Sequence, residues 1–126
     1  MPVFVGAPES VEGAPWFLRW LAEVVEAPRV EVVLGLIERV YGRLREDSPR
    51  AEARRFFVPI WKNPYMSVGS DTYARDVLET CGGENVCGCS TRYPVFTLEE
   101  VEAAQPEILL LLDEPYPFSA EDLGGL

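Results

Sequence analysis

The chain has 126 residues, with 11 Lys and Arg against 21 Asp and Glu, no His, and 48% hydrophobic side chains. Length and composition suit one globular domain with a core of its own. A net charge of -10 leaves no basic stripe for nucleic acid, and the lack of His removes Ser-His-Asp and Cys-His catalysis and His-ligated zinc.

The acidity is uneven: residues 1–55 carry 8 basic against 9 acidic groups, and residues 56–126 carry 3 against 12. Such a field either keeps a surface solvated or meets a basic partner. The longest apolar run, residues 108–112, is far shorter than the roughly 18 residues of a membrane-spanning helix, so no membrane insertion is expected. The first residues have neither a basic stretch nor a long apolar one, so no secretory signal is read there. Three cysteines do not make a disulfide framework.

In chain order, residues 3–5 read as a strand end closed by Gly6 and Pro8. Residues 15–26 repeat apolar side chains at steps of three and four, which predicts an amphipathic helix started at Pro15 and stopped near Pro28. A second helix follows, with Val30, Val33, Leu34, Ile37, Val40, Tyr41 and Leu44 on one stripe, ending before Pro49. Gly35 and Gly42 fall close to one face of it: either another backbone packs there or the helix is weak.

Residues 56–61 read as one strand with Pro59 at an edge or end, and residues 62–70 as a loop. Ser70 or Asp71 is expected to cap a helix over residues 72–80, with Tyr73, Val77 and Leu78 inward, ending at Cys81-Gly82-Gly83. A loop through residues 84–94 leads to Thr97-x-x-Glu100, a capping box opening a short helix. The run at residues 108–112 then suits a parallel strand buried on both faces, and the tail is an aromatic-proline loop with one last helical turn near residues 119–122.

The words Trp61-Lys-Asn-Pro-Tyr-Met-Ser-Val-Gly69, Val77-Leu-Glu-Thr-Cys-Gly-Gly-Glu-Asn-Val86, Arg92-Tyr-Pro-Val-Phe-Thr-Leu-Glu-Glu-Val101 and Pro106-Glu-Ile-Leu-Leu-Leu-Leu112 together resemble the C-terminal lobe of the helical-backbone, class III periplasmic substrate-binding proteins. That family delivers cobalamin, ferric siderophores or haem to ABC importers. The match is closest over residues 56–118. The resemblance implies a partial, three-layer α/β lobe with a short parallel sheet over residues 54–126. Residues 1–53 would hold the end of a first-lobe strand, a short helix and the long helix that joins the lobes. Such proteins enclose ligand between two lobes, and 126 residues have room for one.

Carried over by position, the resemblance puts Trp61, Tyr65 and Tyr93 on the ligand cleft, with Arg92 able to meet a peripheral carboxylate. The loop holding Glu114 and Tyr116 lies at the carboxyl end of a strand, where open α/β sheets bind ligands. Rigid aromatics at loop tips suit the apolar faces of corrins and porphyrins. Trp61, Tyr65 and Tyr116 have a plain alternative as partly buried plugs of a small core. Glu99 corresponds to an acidic residue that pairs with the importer permease, the plain alternative being support of a helix N-terminus. Cys81, Cys87 and Cys89 lack a zinc spacing, so no metal site is expected and Cys81 is taken as a buried thiol.

The expectation is thus a substrate-binding component, or fragment of one, for cobalamin or an iron chelate, with no resident cofactor and no enzymatic activity. The alternative is a stand-alone cytosolic interaction or regulatory protein that keeps the lobe as a scaffold. Open sheet edges and an uncovered helix face imply a homo-oligomer. Location is periplasmic or extracytoplasmic by the resemblance, and cytoplasmic if the chain as given is complete.

Overall fold

Pro15 lies in the first turn of α1 (Ala14–Val24), where its missing N–H leaves no helical bond unmade. The chain leaves α1 through the Val25 and Ala27 amides, which donate to the carbonyls of Leu21 and Ala22 at 3.1 and 2.8 Å. It then enters α2 (Val30–Asp47). The computed structural model describes residue 3, residues 5–47 and residues 53–125. Arg19 of α1 ties the two helices by pairing with Glu31 at 3.0 Å and Glu38 at 3.7 Å of α2.

Both helices agree with the periodicity, but the α2 stripe is only partly covered. Leu34 is buried and Ile37 and Tyr41 are half-buried, whereas Val33, Val40 and Leu44 stay exposed. No atom lies within 4 Å of where a Cβ would stand on Gly35 or Gly42. Among the described residues no backbone from outside α2 packs there, and the glycines leave α2 with an open face. Val3 and Val5 are exposed and outside any strand, which corrects the strand expected at residues 3–5. Phe4 lies outside the described residues.

Six short strands and two more helices follow: β1 (Arg54–Phe57), β2 (Pro59–Trp61), β3 (Tyr65–Ser67), α3 (Tyr73–Thr80), β4 (Gly83–Asn85), β5 (Val95–Phe96), α4 (Leu98–Ala104) and β6 (Ile108–Leu109). A 3-10 turn, Ala120–Gly125, closes the chain. One sheet has the order β4-β1-β6 with both pairings parallel, as the sequence predicts. The second, β2-β3-β5, is antiparallel and was not expected.

The single strand predicted over residues 56–61 is in fact two. Pro59 has no N–H to continue a ladder, so the chain leaves the parallel sheet at Val58 and begins the second sheet. The expected loop over residues 62–70 contains β3, because residues 62–64 make a turn that sends Tyr65–Ser67 back along β2. The loop expected over residues 84–94 begins inside β4. Its first residue is Gly because a Cβ there would stand 2.6 Å from the Phe56 ring.

Thr72, not Ser70 or Asp71, caps α3, accepting from the Arg75 amide at 3.4 Å. Tyr73 is exposed, which corrects its expected inward position, while Leu78 packs on the core and Val77 is half-buried. The capping box forms as predicted: the Glu100 amide donates to Thr97 Oγ1 at 3.2 Å, and the Thr97 amide donates to Glu100 Oε2 at 2.8 Å. The strand expected over residues 108–112 is only Ile108–Leu109, and it is not buried on both faces. It lies at the sheet edge with Ile108 exposed, because among the described residues no strand pairs beyond it.

Phe56, Val58 and Val68 form the core, with Ile60, Leu78 and Leu110 packed around them. Three buried polar side chains serve carbonyls at the step between the sheets and in the β3–α3 connection. Ser67 Oγ donates to the Val58 carbonyl, Thr72 Oγ1 to that of Gly69 and Asn85 Nδ2 to that of Val68, each at 2.8 Å. Asn85 Oδ1 also accepts from the Cys87 amide at 3.0 Å. Among the described residues no helix is long and apolar enough to cross a membrane. Asn85→Ala is expected to leave two buried backbone groups unpaired and to lower stability by about 2–4 kcal/mol, read from urea unfolding. A loss under 1 kcal/mol would show that Asn85 does not hold the two sheets together.

Candidate ligand-binding site

Three segments leave the carboxyl ends of the parallel strands: residues 58–61 after β1, 86–93 after β4 and 110–115 after β6. Together with β3 and α3 they enclose a cavity of about 410 Å³ lined by Ile60, Trp61, Met66, Val68, Ala74, Tyr93, Leu112, Glu114 and Pro115. Nearly all of the lining is apolar. Trp61 is 42% exposed and Tyr93 53% exposed, so the two rings form an open wall and do not fill the interior. The volume lies within the range of small-molecule sites.

The position of Tyr93 follows from a backbone crossing. Loop 90–94 lies on the β3–α3 connection, where the amides of Ser67, Gly69 and Ser70 donate to the carbonyls of Pro94, Arg92 and Ser90 at 3.0, 2.7 and 2.7 Å. The approach leaves no room at Gly69, where a Cβ would stand 2.6 Å from the Ser90 oxygen and 2.8 Å from that of Arg92. Arg92 has φ 58°, a left-handed conformation that costs a non-glycine residue roughly 1–2 kcal/mol. Asp71 offsets this by accepting from the Arg92 amide and pairing with its Nε at 3.6 Å.

Of the residues expected at a ligand cleft, Trp61, Tyr93 and Glu114 line this cavity together. Tyr116 does not. Its ring stands edge-on to Trp61 at 5.9 Å and against Phe118 at 4.6 Å, so it backs the wall from behind. Tyr65 opens β3 opposite Phe96, and Arg92 is turned to Asp71; neither lines the cavity. Glu99 is exposed in the first turn of α4, and since Glu100 completes the capping box, the cap does not need Glu99. Ile60 and Leu112 fall in the expected strands and Met66 and Val68 in the expected loop, and sequence does not mark them as lining, because an apolar residue looks the same there whether it faces a core or a cavity.

Cys81 is exposed and Cys87 is the buried thiol, which corrects the expectation for Cys81: it follows the last turn of α3 on the outer surface. Burial pushes the Cys87 thiol up, against a smaller opposing effect of its hydrogen bond with Ser67. Among the described residues no group of His, Cys, Asp and Glu could hold a metal ion.

No family model matches the chain. A vitamin B12-binding protein of Vibrio campbellii is 24% identical over 111 residues, which take in 86% of this chain and 40% of that protein. The structure superposes on the periplasmic vitamin B12-binding protein BtuF of Vibrio cholerae with a TM-score of 0.76 and 16% identity, over 99% of this chain and 47% of that one. On S. aureus IsdE complexed with heme the TM-score is 0.76 with 16% identity, over 94% of this chain and 46% of that one. The fold is that of part of a periplasmic binding protein. The resemblance drawn from the sequence and the α/β lobe with a short parallel sheet are thereby borne out. The chain spans less than half the length of each of these relatives.

The closing 3-10 turn is tied to the β2–β3 turn by Lys62 and Asp122 at 2.6 Å. The hydrogen bond with Asp122 raises Lys62, and the bonds from Lys62 and from the Ser119 amide lower Asp122. The Asp122 contribution is therefore present above the ordinary carboxylate pKa and lost as pH falls through its lower folded value. The Lys62 contribution is present below the ordinary lysine pKa and lost as pH rises through its higher folded value. The protection of the Ser119 amide, its exchange rate set against the intrinsic rate at the same pH, is expected to hold at neutral pH and to fall in acid as Asp122 protonates, and Asp122→Asn should lower it at neutral pH. Equal exchange in the variant at neutral pH would show that the pair does not hold the tail.

Proposed function

We propose that the chain is the substrate-binding component, or a fragment of one, of an ABC importer for cobalamin or an iron chelate. The observation that carries this is the apolar cavity beyond the carboxyl ends of three parallel strands, with Trp61 and Tyr93 exposed on its wall. Flat rings on rigid supports cover the face of a planar ligand at small entropic cost. A vitamin B12-binding protein among its sequence relatives and a structure complexed with heme among its fold neighbours support the ligand class. Binding, not catalysis, is the whole of the activity. The cavity is open, so one lobe covers one face of a ligand. Extracytoplasmic location and docking of Glu99 on a basic permease belong to the same reading, supported by the 3 basic against 12 acidic groups of residues 56–126.

Self-association is part of this reading. Val32, Val33, Leu36 and Val40 stand exposed along α2, and a second copy covering them would remove apolar area from water. Light scattering after size exclusion at micromolar concentration should return a dimer or larger species; a monomer would remove this element.

Titration with cyanocobalamin, hemin and ferrichrome, followed by calorimetry and tryptophan fluorescence, tests ligand binding. At least one should bind, and Trp61→Ala and Tyr93→Ala should each weaken it about tenfold, the effect of losing roughly 1.4 kcal/mol of ring contact. Binding of none of the three, or binding unchanged in both variants, would overturn the reading.

A further inference from the structure

The charge on the cavity has a direction. Glu114 is the one acidic side chain that lines it, among apolar and aromatic groups. Among the described residues its carboxylate has no hydrogen-bond or ion-pair partner, and no Lys or Arg lines the cavity. The two cations nearest in sequence to the wall aromatics are engaged elsewhere: Arg92 with Asp71 and Lys62 with Asp122. Arg92, which the sequence offered as a partner for a peripheral carboxylate, is thus committed to another acid.

Resting on the reading of the cavity as a chelate site, we infer that Glu114 selects planar ligands edged with neutral or cationic hydrogen-bond donors, carboxamides above all, against those edged with carboxylates. A carboxylate accepts N–H bonds readily and offers no donor. An amide edge beside Glu114 gains a charge-assisted bond, whereas a carboxylate edge meets a like charge with no cation to offset it. The acidity of residues 56–126 adds to that repulsion at longer range. A site built on one polar contact rejects the analogue that cannot make it more strongly than it rejects a change of size.

Two corrins with one ring and different edges isolate the effect: dicyanocobinamide, edged with amides, and dicyanocobyrinic acid, edged with carboxylates. By calorimetry the amide form should bind at least tenfold tighter to the native chain. Glu114→Gln should narrow that gap and Glu114→Lys should reverse it, with circular dichroism confirming that both variants keep the native fold. Equal affinities for the two corrins, or a gap that neither variant changes, would overturn this inference while leaving the chelate site standing. Binding of hemin or ferrichrome with failure of both corrins would overturn this inference alone, and failure of the corrins, hemin and ferrichrome together would overturn the chelate site and this inference with it.

Discussion

The chain depends on a change of partner at Val58. Up to Phe57 the backbone is the middle strand of a parallel sheet, and from Pro59 it is an outer strand of an antiparallel one. A buried backbone cannot change sheets without leaving polar groups that neither ladder reaches, and each is costly if unmet. Ser67 meets the Val58 carbonyl, and Asn85 reaches from β4 to the Val68 carbonyl beyond the end of β3. The two sheets are therefore held to each other by the Asn85 hydrogen bond as well as by the small apolar core of Phe56, Val58 and Val68.

Helices were legible because their signals are local and long enough to repeat. The stripe of α1 and α2, and Thr97 with Glu100 at the start of α4, were all present in the order of residues. The strands were not, since pieces of two to four residues are too short for alternation to show. Gly83-Glu-Asn85 is poor in strand formers and becomes a strand only because β1 offers it a parallel edge and Gly83 lets it close on Phe56. Ile108 misled in the other direction: it is apolar because it is a strand residue, yet it is exposed at the edge.

The same division runs through the candidate site. Trp61, Tyr93 and Glu114 could be named from the words they sit in, and they do share one cavity. Arg92 could not be placed, because its commitment to Asp71 comes from a loop crossing between segments 21 residues apart. Tyr116 was placed one layer too far forward, a distinction that only packing reveals. The cavity stays open and the α2 face uncovered in a chain that spans less than half the length of the structures it superposes on.

Phe118, Tyr116 and Trp61 touch in succession, so the wall residue leans on a second ring, which leans on a third. Such a buttress restricts the indole's rotamers before any visitor arrives, and little further ordering remains for the encounter itself. For the ligands proposed above, differences in affinity would then be written chiefly in how long they stay, with arrival rates nearly alike.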